Sequence, residues 1–157
     1  MSLEKMATKH SQNIDATFGI YHDLTIDVTP EKLFTAIAQP EHLINWWPKK
    51  CQGNPALGSQ YNFFFSPEYN WFGEVVKFDV NKSFHIKMTK SDVDWDPTTF
   101  GFEIREEKGK SVLQFTHLNW KERNSHFRIA SFCWAMLLKG LKDYVEKGII
   151  LPFEERS

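Results

Sequence analysis

Ile20, Leu24, Ile26 and Val28 share one phase of a two-residue alternation, and Tyr21, Asp23, Thr25 and Asp27 share the other. That is the pattern of a strand with one buried and one wet face. The alternation breaks at Thr29-Pro30. A threonine side chain accepts from the free amides of a first helical turn, and proline at the first helical position gives up no bond there. A helix is therefore expected from Pro30, burying Leu33, Phe34 and Ile37. Pro40 ends it and opens a second short helix carrying Leu43, Ile44, Trp46 and Trp47.

Gly53-Asn54-Pro55 and Gly58 mark a loop, after which the pattern predicts strands near Ser59 to Ser66, Trp71 to Phe78, Ser83 to Thr89, Thr98 to Glu106 and Lys110 to His117. With the first strand they make a six-stranded antiparallel meander. Phe84, Ile86 and Met88, then Phe100, Phe102 and Ile104, then Leu113 and Phe115 form its inward phase. Tyr61 to Phe65 and Trp71 to Phe78 carry large apolar groups on both phases, as a bulged or doubly covered strand does. Ser91 to Pro97, with Trp95 amid aspartates, reads as a loop at a rim or lid. From about Asn124 to Lys147, Phe127, Ala130, Trp134, Leu137, Leu138, Leu141, Tyr144 and Val145 recur at helical spacing, and Gly148 stops the run. The fold class is α+β: a curved six-stranded antiparallel sheet around a long C-terminal helix, with two short helices after the first strand. A helix laid across a twisted sheet cannot touch it equally everywhere, and the gap is a natural place for an apolar cavity.

Composition bounds this picture. With 157 residues, 41% hydrophobic and 15% aromatic, the chain suits a single domain, here 17–151, between a loosely ordered polar segment 1–16 and a tail 152–157. A net charge of -1, from 19 Lys+Arg and 20 Asp+Glu, provides no cationic field for a phosphate backbone, so no nucleic-acid partner is expected. The first segment has no apolar run of a secretion signal, and no stretch reaches membrane-spanning length, so a soluble, cytoplasmic protein without a membrane partner is expected. Cys51 and Cys133 belong to no metal-ligand or disulfide spacing, and neither a cofactor nor a metal is expected.

The order of elements resembles the START-like superfamily, also called SRPBCC or helix-grip, and within it the homologues of the activator of heat-shock protein 90 ATPase. The matching pieces are Val28-Thr29-Pro30-Glu31-Lys32-Leu33-Phe34 with Ala36-Ile37, Pro40-Glu41-His42-Leu43 leading to Trp46, and Phe72-Gly73-Glu74-Val75-Val76. Phe115-Thr116-His117 and Trp134 with Leu138, Leu141, Lys142 and Tyr144 before Gly148 complete the match. Phe132-Cys133 stands where the family often has a glycine before the tryptophan, and the polar lead before Phe18 is long. The resemblance implies a shared scaffold more than a shared activity, because the superfamily holds lipid carriers, hormone receptors, cyclases and chaperone partners.

Three functions follow as expectations. The first is binding of a small hydrophobic molecule between the sheet and the last helix. Its lining would come from Trp46, Trp47, Phe63 and Trp71, from Phe84, Ile86, Met88, Phe100, Phe102 and Phe115, and from Phe127, Trp134 and Leu138, with His117 as polar anchor. Taken singly, each ring fits core packing better, and His117 fits a hydrogen-bonded structural histidine better. The second is a cyclase or hydrolase with His117 as general base oriented by Glu74, which requires Phe72, Val76 and Phe78 to face inward. No nucleophile elbow, Walker loop or HExxH accompanies it, so no catalytic residue is assigned. The third, implied by the resemblance, is an interaction module for a chaperone, using exposed Trp95, Trp120 and Phe153. A homodimer is a further expected partner state. His22 is expected at a solvated strand end, and Glu154-Glu155-Arg156 in a solvated tail.

Overall fold

The computed structural model describes residues 16–157. The reading of 1–16 as a loose lead therefore lies, except for Ala16, outside the described residues. Strand β1 spans Phe18–Ile26. Thr29 Oγ1 accepts from the Lys32 amide at 3.2 Å and starts helix α1, Pro30–Ala38, and Pro40 then opens the one-turn helix α2, Pro40–Leu43. The last carbonyls of α1 have no intrahelical donor. Two distant side chains supply them: the Trp46 indole donates to Ala36 at 2.9 Å and the Tyr61 hydroxyl to Ala38 at 2.5 Å.

The sheet has seven strands, not six. The additional strand, β2, is Lys50–Gln52, too short and too polar to show an alternation. It pairs with β3, Gln60–Ser66, through Cys51 and Phe63. β4 (Tyr69–Asp79), β5 (Ser83–Lys90), β6 (Thr99–Glu107) and β7 (Lys110–Trp120) follow, in the spatial order β1-β7-β6-β5-β4-β3-β2, every pair antiparallel. Phe84 stands opposite Phe102, and Phe102 opposite Phe115, so the inward phases of three strands form one apolar row.

The two strands of uncertain phase are now settled. In β3, Tyr61 and Phe63 are buried inward and Phe65 continues their phase. In β4, Trp71, Gly73 and Val75 face inward until a register shift between Val75 and Lys77, after which Phe78 takes the inward place. This bulge is why no single phase fits the segment. Gly73 is required where it stands, since a Cβ there would lie 2.5 Å from Ile86 Cγ2 and 3.1 Å from the Lys87 carbonyl oxygen. Gly73→Ala is expected to cost ~1–3 kcal/mol by overpacking, read from the urea midpoint.

The long helix α3, Ser125–Lys147, is capped by Asn124, whose side chain accepts from the Phe127 amide, and ends at Gly148 with φ 70°. Its buried stripe is Ala130, Trp134, Leu137, Leu138, Leu141 and Val145. Two polar expectations change. His22 is half-buried rather than at a free strand end: its Nε2 lies 3.0 Å from the Ser131 carbonyl oxygen and ties β1 to α3. Arg156 does not float in a free tail, because Nη1 donates to the carbonyls of Ile44 at 2.7 Å and of Trp47 and Pro48 at 3.3 Å. Among the described residues no helix is long and apolar enough to cross a membrane.

Candidate functional site

The middle of the space between sheet and α3 is filled. The Trp134 ring lies 4.4 Å from Phe115 and 5.6 Å from Phe100, centroid to centroid, and Trp47 lies 5.2 Å from Phe100. Trp46, Phe63, Phe84, Ile86, Met88, Phe100, Phe102, Phe115 and Leu138 are all buried in this core, and Phe127 packs on Trp120 at 5.4 Å. What stays open is a cleft of about 490 Å³ beside the first half of α3, facing the β3–β4 hairpin and the loop after β5. Of the residues chosen from sequence, Trp47, Trp71 and Trp134 line it, and the others named above do not.

Five rings around this cleft close on one another. Centroid distances run 5.8 Å from Trp47 to Phe65, 5.1 Å to Trp71, 4.7 Å to Trp95, 6.0 Å to Trp134 and 4.9 Å back to Trp47. They come from four places in the fold. Trp47 ends the turn after α2, where its amide donates to the Leu43 carbonyl at 2.9 Å. Phe65 and Trp71 share the inward face of the hairpin, and Trp134 projects from α3. Trp95 comes from the loop, whose aspartates serve its own amides: Asp92 accepts from Asp94 N at 2.9 Å and Asp96 from Ser91 N at 3.1 Å. The turn they shape drives the intervening indole inward.

Sequence reasoning missed Phe65 and Trp95. Phe65 was signalled by its phase with Phe63, whereas the aspartates around Trp95 hid it. The two tryptophans expected at the surface are in fact interior: Trp95 is 7% and Trp120 1% exposed. Phe153 is half-buried.

His117 is wholly buried and both its ring nitrogens are engaged. The Trp134 indole donates to Nδ1 at 3.0 Å, which puts the ring proton on Nε2, 2.7 Å from Thr98 Oγ1. The Thr98 hydroxyl in turn donates to the Trp95 carbonyl. This relay joins α3 to the loop and fixes two rings of the circuit. Burial, with a smaller push from the charge of His126, lowers the His117 pKa to about 3, so the imidazole is neutral. Glu74 faces solvent on the opposite side of the sheet and does not share the cavity, so the general-base arrangement read from sequence is not formed.

The cleft's polar lining includes Asp92, His126, Tyr69 and Ser157. His126 Nδ1 donates to Asp94 at 2.8 Å and stands 3.6 Å from Asp92. Among the described residues, these three have ligand atoms within 4.8 Å of one another. They could hold a divalent ion only by giving up the His126–Asp94 hydrogen bond. Cys133 also lines the cleft, and burial pushes its thiol up, keeping it protonated.

An antiparallel sheet that wraps a long helix, with two short helices after the first strand and a cleft between hairpin and helix, defines a helix-grip protein. Residues 27–146 match the family model described as Activator of Hsp90 ATPase homolog 1-like protein, and the chain belongs to that family. The solution structure of the Aha1 dimer from Colwellia psychrerythraea is similar, with TM-score 0.77 and 27% identity over 83% of this chain and 98% of that one. A Mesorhizobium loti protein matches with TM-score 0.73 and 19% identity over 85% of this chain and 100% of its own. A Staphylococcus saprophyticus protein matches with TM-score 0.72 and 16% identity over 85% of this chain and 96% of its own. These last two likenesses concern the fold alone. Among curated proteins no significant match is found.

Proposed function

We propose that the protein binds a small apolar molecule in the ring-lined cleft. One observation carries this reading: five aromatic side chains from four separate parts of the chain converge on a space open to solvent. The rings pack on one another in a circuit, and the side they turn to the cleft stays open, with Phe65 and Trp71 only half-buried there. A ligand that takes ~300 Å² of apolar surface out of water gains at most ~7.5 kcal/mol, so affinities near micromolar or weaker are expected.

Native mass spectrometry of protein from its own cells tests the reading. A stoichiometric small molecule released on denaturation supports it, and protein that arrives empty and also fails to take up an added aromatic probe contradicts it. Trp71→Ala is expected to weaken binding at least ~10-fold while costing far less stability than a core tryptophan, because Trp71 is only half-buried.

Self-association is a second reading, supported by a separate observation. Ile129, Phe132 and Met136 are 59%, 68% and 39% exposed and form one apolar stripe along the outer face of α3. The similar Colwellia protein is described as a dimer. Light scattering is expected to show a dimer that Phe132→Glu converts to monomer. A wild-type monomer at high concentration contradicts this. A chaperone partner has less support, since Trp95 and Trp120, two of the aromatics that were to meet it, are interior.

A further inference from the structure

We propose that the cleft selects an organic cation, a small molecule whose apolar body carries an alkylated ammonium group. This rests on the reading of the cleft as a binding site and specifies the ligand's charge. The face of an aromatic ring is its negative side, and indole attracts a cation most strongly. Four indoles, Trp47, Trp71, Trp95 and Trp134, line this cleft together with the Phe65 phenyl and the Tyr69 phenol ring.

The charges at its edge have the same sign preference. Asp92 lines the cleft, and no lysine or arginine is among the residues that do. His126 is paired with Asp94 and stands beside Asp92, so the three groups together are net negative whether or not the imidazole is protonated. One Asp92 oxygen accepts the Asp94 amide, which leaves its other oxygen for a ligand. An acid entering the cleft would meet a net negative edge, because the one basic side chain lining it, His126, is already paired with Asp94. A neutral molecule would gain burial alone. An alkylated ammonium gains burial, the ring faces and the carboxylate, and its diffuse charge is weakly hydrated.

The test compares two probes of the same shape, phenyltrimethylammonium and tert-butylbenzene, titrated into the full chain at low salt and followed by tryptophan fluorescence. The cation is expected to bind roughly 10-fold tighter than its neutral isostere. Asp92→Asn, which keeps the acceptor for the Asp94 amide, is expected to lower the cation's affinity about 3- to 10-fold and leave that of tert-butylbenzene unchanged. Equal or tighter binding of tert-butylbenzene overturns the cation preference and leaves the apolar-ligand reading standing. Absence of binding by either probe overturns both. A cation preference that survives Asp92→Asn undiminished overturns the part given to Asp92.

Discussion

Trp134→Ala is expected to destabilise the protein by ~3–5 kcal/mol, a large share of a domain's stability. Trp134 is 1% exposed and its ring contacts Trp47, Trp95, Phe100 and Phe115. Truncation opens a cavity in this cluster, and it also leaves His117 Nδ1 without its donor in the interior. The urea midpoint should fall with an unchanged m-value. Trp134→Phe separates the two contributions by keeping most of the ring while removing the N–H. Trp71→Ala, at the cleft's edge, should cost clearly less. A Trp134→Ala cost below ~1 kcal/mol would mean that the floor of the cleft is not packed as described.

The second large effect is a pH dependence carried by His117. In the unfolded chain this histidine takes up a proton below its ordinary value of 6.5, whereas in the fold it stays neutral down to about 3. Between those values the unfolded state holds more protons, so stability falls as pH falls; above 6.5 the contribution is complete. The loss is expected to reach ~2 kcal/mol by pH 5 and ~4–5 kcal/mol across the whole window. Glutamine at this position offers an oxygen to Trp134 and an N–H to Thr98 but does not titrate. His117→Gln should therefore flatten the curve of unfolding free energy against pH below 6.5. Curves for wild type and variant that run parallel from pH 7 to pH 4 would contradict the buried, neutral imidazole.

The fold was legible wherever one face of an element meets water. β1, β5 and β6 alternate because one side is wet, and Thr29-Pro30 marks the start of α1 by satisfying its first amides. Legibility failed where that condition failed. β2 is three residues long and has no period to read. β4 changes phase at its bulge, so an average over the strand cancels. The cleft was legible only in part. Trp47, Trp71 and Trp134 were found as large apolar groups, but apolarity does not separate a ring in a floor from one at an opening, and Phe84 and Phe102 were chosen by the same rule. Trp95 was assigned to the surface because its neighbours are aspartates, yet those aspartates bond the loop's own backbone and turn the indole inward. His117 was correctly phased inward. Its partners, Thr98 and Trp134, are 19 and 17 residues away and could not be read from the sequence.

The central claim is that a guest molecule occupies the cleft that the five rings line. It is tested most directly by following the six tryptophan indole N–H signals by nuclear magnetic resonance while an apolar aromatic probe is added. The account predicts saturable shifts at Trp47, Trp71, Trp95 and Trp134, and none at Trp46, whose indole is bound to the Ala36 carbonyl in the core. Signals that do not move at saturating probe, or that move at Trp46 as much as at Trp71, would contradict it.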